Sequence, residues 1–227
     1  MASAVDIANL ALSRIGDNAT VSSIDPPEGS PQAAHCALFY PMARDTLLAW
    51  PKANWSFASR RKELARVTMP WSTWQYAYAV PNSMLSAIAV LSPDAPDDYT
   101  TSFPIPYSPQ EYPGGARGIS LGYQPQPFVI ESDDNGQQVI YTNQENATLR
   151  FIARVTDTTK YPPMFVDALV WLLASHIAGP IIKGDAGKAA ANDAYGAFLG
   201  AVGRAVEADT KQRKVNVVQN VPWISNR

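Results

Sequence analysis

The sequence predicts an α+β fold: a helical bundle made from the N- and C-terminal helices, an inserted antiparallel β domain, and an extended C-terminal tail. Three observations carry this. Apolar residues recur at helical spacing at both ends of the chain, over 3–15, 30–50, 163–182 and 185–210. Strict alternation replaces that spacing around Trp74–Val80 and Ala147–Val155. A segment at 92–127 holds eight of the chain's 19 prolines and four glycines, which leaves room for no regular element of useful length. The organisation that follows is 1–58 as the first part of the bundle and 59–158 as the β insert, with a proline-stiffened arm at 92–127. Residues 159–210 complete the bundle, and 211–227 form the tail.

The first helix spans 3–15, with Ser3 able to cap its start and Gly16 placed to end it. Val5, Ala8, Leu12 and Ile15 mark its apolar face. Ser30-Pro31 opens a second helix as N-cap and first helical position. Its stripe is Cys36, Phe39, Tyr40, Ala43, Leu47 and Trp50. Pro41 inside that stripe predicts a kink or break, and Pro51 a stop. From Trp55 the period changes to alternation through Trp55-Ser56-Phe57-Ala58. Ala87–Leu91 reads as a short buried strand. Phe128–Ile130 and Val139–Tyr141 form a hairpin about Asn135-Gly136, where a two-residue turn needs positive φ at both positions. The third helix opens at Pro162-Pro163 and is apolar on nearly every side, so it must be buried. Asp185 is placed to cap the last helix, whose inner face is traced by Tyr195, Phe198, Val202, Ala205 and Asp209.

Composition narrows the function. The 227 residues are 46% hydrophobic, only 17% are charged, and the net charge is −2. That balance supplies no bulk attraction to nucleic acid or anionic lipid, and it leaves apolar surface for partner chains to cover. Cys36 is alone among small apolar residues, which excludes an intrachain disulfide and a thiolate metal site. The N-terminus has no basic region followed by an apolar core, so synthesis inside the cell is expected and the sequons at Asn18, Asn54 and Asn146 read as chance.

The stretch from Met164 to Ile182 has the length of a membrane span, but Asp167, His176 and Gly179-Pro180 interrupt it and no aromatic belt flanks it. A helix at the centre of a bundle is the better reading, with no membrane partner. Gly184-Asp185-Ala186-Gly187-Lys188 suggests a clipped phosphate loop, yet Ile182 stands where its first glycine belongs and Ala189 where Ser or Thr belongs. His35 and His176 lack ligand-spaced neighbours. The chain therefore offers no catalytic, metal or cofactor residues, and no enzyme is expected.

Two features instead suggest surfaces. Gly196, Gly200 and Gly203 lie along one side of the last helix, where each costs about 1 kcal/mol relative to Ala, and close approach of another helix is the use of such a side. In the tail, Val215, Val217, Val221, Trp223 and Ile224 are apolar, while Pro222 and the asparagines stop a helix, which suggests docking on the parent domain or on a partner. Lys211, Arg213 and Lys214 read as the tail's solvated start. A competing reading rests on Trp71, Trp74, Tyr76 and Tyr78 as a non-enzymatic glycan- or host-surface-binding module, although core packing explains the same aromatics.

Several segments, in order along the chain, resemble the head-to-tail adaptor proteins of short-tailed bacteriophages, a family of head-completion or tail tubular protein A-like proteins. They are Ile7–Gly16, Ala43-Arg44-Asp45-x-Leu47-Leu48 running to Trp55–Ala58, and Trp74–Pro81. Leu149–Asp157, Pro162–Phe165 with its helix, and the end from Trp223 to Arg227 complete the series. The segment 92–127 matches no pattern of that family. The resemblance implies a virion protein of the head–tail junction, made in the host cytoplasm and not catalytic. It implies a dodecameric homo-oligomeric ring beneath the portal protein that receives the tail nozzle protein on its other face. Genome DNA would pass through the lumen without sequence-specific binding. The tail residues Val215, Val217, Val221, Trp223, Ile224 and Arg227 would contact the portal, while the packing of Gly196, Gly200 and Gly203 against neighbouring subunits is expected from their helix face and not from the resemblance.

Overall fold

The computed structural model describes residues 2–68, 73–93, 126–133 and 135–212. Most of the proline-rich arm, Trp71 and the tail beyond Gln212 lie outside them. Helices α1 (Ala4–Arg14) and α2 (Pro31–Leu48) come first. Six strands follow: β1 (Ser59–Glu63), β2 (Tyr76–Ala79), β3 (Met84–Leu91), β4 (Phe128–Ser132), β5 (Gln138–Thr142) and β6 (Thr148–Ala153). Helices α3 (Pro163–Ile182) and α4 (Gly184–Thr210) close the series. The fold is α+β, with helices from both ends of the described chain enclosing the strands.

Helix starts follow local chemistry. The Ser3 hydroxyl accepts from the Asp6 backbone N–H while the Asp6 carboxylate accepts from the Ser3 N–H at 2.8 Å, a reciprocal capping box. The Ser30 hydroxyl accepts from the Ala33 N–H at 3.1 Å, with Pro31 at the first helical position. Between these helices the chain is pinned by Asn9, whose amide both donates to the Val21 carbonyl at 2.9 Å and accepts from the Val21 N–H at 2.7 Å.

Pro41 does not break α2; one helix runs from Pro31 to Leu48 with Pro41 on its exposed side. An interior proline costs about 3 kcal/mol. Burial of Tyr40, Ala43, Leu47 and Leu48 on the opposite side holds both halves in the same core, and that outweighs it.

The α3 helix is covered as its composition requires. It packs on α1, α2 and α4, and Phe165, Leu169, Leu172, Leu173 and Ile177 are all buried. Trp55, Phe57 and Tyr161 close over Phe165 with ring centroids 4.9–5.1 Å away. The Trp55 indole N–H also donates to the Leu47 carbonyl at 2.8 Å, so its one polar atom is satisfied inside the core.

The alternation at Trp55–Ala58 therefore belongs to a turn, with the backbone N–H of Ser59 donating to the Trp55 carbonyl at 2.9 Å. The strand is the charged run that follows, Ser59-Arg60-Arg61-Lys62-Glu63. Its own residues have weak β preference; it is held by antiparallel pairing with β6, from Ser59↔Ile152 to Glu63↔Thr148.

The strands form two three-stranded sheets, ordered β1-β6-β3 and β2-β5-β4. They face each other across Tyr78, Ile140, Val90, Leu149 and Phe151. Ile152 points the other way, into the helical core with Leu85 and Ile88. The result is three layers: helices, sheet, sheet. Backbone bonds join the sheets at both margins, from Val67 to Ala77 and Ala79 to Ala65 (both 2.9 Å), and from Gln126 to Val90 (3.0 Å).

The β4–β5 hairpin is present, but its turn is not the two-residue kind. The Asp133 N–H donates to the Gln137 carbonyl at 2.8 Å and the Gly136 N–H to the Asp133 carbonyl at 2.9 Å, with the positive φ on Gly136 (75°) and not on Asn135. That is the longer loop with glycine at the left-handed position. The Asp133 carboxylate stabilises it by accepting from the Asn135 and Gln137 N–H groups at 3.0 and 2.7 Å.

Two expectations for α4 are corrected. Asp185 is not the cap; it lies exposed in the first turn, and Lys183 (φ 64°) is at once the C-cap of α3 and the N-cap of α4. So tight a joint sets the two helices side by side, and the close-approach glycine is Gly187. A Cβ there would lie 3.2 Å from the Gly179 carbonyl oxygen. The inner face of α4 is Ala194, Phe198, Ala201, Val202 and Ala205, with Tyr195 turned half outward.

These environments predict opposite signs for one substitution. Gly187→Ala destabilises the chain by about 1–3 kcal/mol, because backbone stands in its way. Gly203→Ala, with no atom within 4 Å of its Cβ, stabilises the dissociated chain by about 1 kcal/mol. Denaturant titration of both variants at dilute protein checks the pair.

Candidate interaction surfaces

The sequence-predicted residues fall into distinct environments. Gly196, Gly200 and Gly203 are exposed on α4, and among the described residues no other helix approaches them; the nearest neighbour is the Arg204 guanidinium, 3.6 Å from a Cβ at Gly200. Beside them Tyr195 and Leu199, one helical turn apart, are 45% and 48% exposed. Together they make an apolar strip of low relief that runs along the outside of α4. A second apolar strip follows α2, where Leu38 is 67% and Met42 47% exposed. The sequence reading missed that second strip because its eye was on the buried stripe; the i, i+4 pair Leu38/Met42 was the available signal.

Six tail residues, Val215, Val217, Val221, Trp223, Ile224 and Arg227, lie outside the described residues. The point at which the tail leaves is fixed. Asp209 near the end of α4 accepts from the Ser56 N–H at 3.0–3.1 Å and from its hydroxyl at 2.7 Å, and that hydroxyl donates to the Gln212 side-chain oxygen at 3.0 Å. Asp209 thus belongs to an anchor.

Of the aromatics considered for a binding module, Tyr78 is buried between the sheets and its hydroxyl donates to the Gln144 carbonyl at 2.9 Å. Tyr76 stacks on Tyr78 and carries the Arg66 guanidinium 4.8 Å from its ring centre. Trp74 packs on Ala77, Val139 and Tyr141.

Among the described residues few titratable groups are buried. Helices α2 and α3 bring His35 and His176 to either side of Phe39, at ring separations of 6.5 and 5.9 Å. Among the described residues no cluster of three or more His, Cys, Asp or Glu could hold a metal. His176 Nε2 is buried without a hydrogen-bond partner, and burial holds its pKa below the usual 6.5. Burial, then the negative charge of Asp17, pushes the Cys36 thiol up to about 11. Gly184–Lys188 is the opening turn of α4 and follows a helix rather than a strand, so the phosphate-loop geometry is not formed.

An open groove of about 500 Å³ beside β1 gathers Arg60, Arg61, Lys62, Arg154 and Lys160 around Asp157. Part of this charge already serves the fold. The Arg154 guanidinium donates to Asp45 at 2.9 Å, and Arg60 donates to the carbonyls of Phe57 and Ser59 at 3.0 Å. A smaller apolar groove, about 210 Å³, opens between the start of α3 and the end of α4. The α3 helix itself is long and apolar enough to cross a membrane, with a mean hydropathy of 1.7, and half of that window is buried inside the protein.

Comparison with protein-family models finds no match, and comparison with curated proteins likewise finds none.

Two predictions follow from the buried groups. Cys36 in the folded chain resists alkylation at pH 8 and reacts only on unfolding, which mass spectrometry of iodoacetamide-treated protein reads directly. Burial makes His176 harder to protonate in the fold than in the unfolded chain, which takes up its proton near pH 6.5, so stability falls as pH drops through 6.5. The lowered carboxyls of Asp6, Glu28 and Asp157 add their own loss only near and below 4.5. Melting temperatures between pH 7.5 and 5 should therefore fall for the native chain and stay flatter for His176→Phe.

Proposed function

We propose that the chain is a structural, non-catalytic protein that assembles as a homo-oligomeric ring, a head-to-tail adaptor joining a portal to a tail nozzle around a DNA channel. The observation that carries this is the uncovered face of α4. Tyr195 and Leu199 stand half exposed beside Gly196, Gly200 and Gly203, none of which meets another helix among the described residues. Exposed apolar side chains next to a smooth backbone suit a helix from a neighbouring copy, which would offset the cost of three interior glycines. The α2 strip of Leu38 and Met42 offers a second apolar face, as a subunit with two neighbours in a ring requires. The ordered resemblance of segments from Ile7 to the C-terminus supports the choice of adaptor among ring-forming proteins, and the tail from Val215 to Arg227 is the portal-contacting part.

The test is electron microscopy and sedimentation of the chain with and without its portal. Rings on the portal are expected for the native chain. Gly200→Leu, which fills the smooth face, should abolish them while leaving the melting temperature of the single chain within a few degrees. Removal of 213–227 keeps Asp209 and Gln212 on Ser56 and should cost portal attachment without unfolding the chain. A chain that stays monomeric with portal present overturns the ring, and undiminished portal binding by the truncated chain overturns the tail's role.

A further inference from the structure

The small groove at the base of the bundle has an exit point of the chain built into its rim. Pro162, Pro163 and Met164 form one wall, and Ala205 and Ala208 of α4 form the other, over a floor of Trp55 and Phe165. Met164 is left 48% exposed there, although the rings beneath it are buried. Gln212 itself lines the groove, held by Ser56, so the next residue begins at its edge.

We propose that the segment Val215–Val218 of the same chain folds back into this groove, with Val215 and Val217 on its walls. Reach decides the occupant. Val215 follows Gln212 by three residues, a span of at most about 10 Å, and the groove wall from Ala205 on α4 to Gln212 just past its end covers seven residue steps, also about 10 Å. In an extended segment Val215 and Val217 face one way and Asn216 and Val218 the other, so the side turned to the groove is wholly apolar while the outer side is mixed. Any other occupant must enter past the tail's own root. A tethered segment competes at an effective concentration in the millimolar range, which a separate chain does not match in dilute solution. Docking in this way closes the aromatic cluster of Trp55 and Phe165 and aims the rest of the tail, Val221 to Arg227, from a fixed point. It reassigns Val215 and Val217 from the portal contact to the chain's own bundle and stands whether or not the ring forms.

The experiment uses the full chain without portal. In a Cys36→Ala background, Met164→Cys and Val217→Cys are combined and oxidised at low protein concentration. An intrachain disulfide is expected, read as a two-hydrogen mass loss in the single chain that either cysteine variant alone lacks. Disulfides formed only between chains, or none, overturn the proposal. As a second measurement needing no cysteine, the chain truncated after Gln212 should take up deuterium several-fold faster across 163–166 than the full chain. Equal uptake with the fold intact overturns it as well.

Discussion

A helix that is apolar on all sides has no place in water until other elements surround it, and burying α3 is the constraint on which the rest of this structure depends. No adjacent element can do this alone. The α4 helix, joined to it through Lys183, covers one side, and the remaining sides need α1 and α2 from the other end of the chain. The β insert must therefore leave and return at neighbouring points. It does so through the turn at Trp55–Ala58 and the approach to α3 at Tyr161, and both turns deliver aromatic rings onto Phe165. The insert is tied to the helices by its own inner sheet, whose Ile152 shares the helical core while Phe151 next to it belongs to the other.

Three carboxylates mark the seams between these layers. Asp167 on α3 lies 3.7 Å from Arg14 of α1 and 3.4 Å from Arg204 of α4. Asp45 on α2 takes Arg44 beside it and Arg154 at the end of β6. Asp209 takes the backbone and hydroxyl of Ser56. The ion pairs among them are partly exposed, where such pairs contribute at most about 1 kcal/mol each. Their use is orientation: hydrophobic burial is indifferent to small slips of one apolar face over another, and a charge with two fixed partners is not.

How far this fold can be read in the sequence depends on where each element's cause resides. Helix starts at Ser3 and Ser30 were legible because the cap and the residue it serves lie three apart. The burial of α3 was legible in its two ladders of large apolar residues. The strand at Ser59–Glu63 was not, since its cause is β6, ninety residues away, and its own residues favour solvent. Trp55–Ala58 misled for the converse reason: alternation came from two aromatics reaching the same core from a turn. The glycines of α4 look alike in the sequence, but Gly187 differs in facing the carbonyls of Gly179 and Ala178, a distinction only the α3–α4 joint creates. On the candidate surfaces the same limit holds, because the exposure of Leu199 or Leu38 is a property of what fails to cover it.

The two kinds of uncovered apolar surface are not equivalent, and the difference follows from geometry. The groove at the base of α4 is concave, small and lined by Gln212, where the tail departs, so its proposed filler is local and need not involve another molecule. The outer face of α4 is smooth and runs along the helix. Filling it requires a flat partner of matching length, and a helix backbone that can come close to Gly196, Gly200 and Gly203. Alanine at each of those three positions would favour the helix by about 1 kcal/mol, and among the described residues its Cβ meets only the Arg204 guanidinium, 3.6 Å from position 200. Their retention at exposed positions makes physical sense when the state that matters is the assembled one.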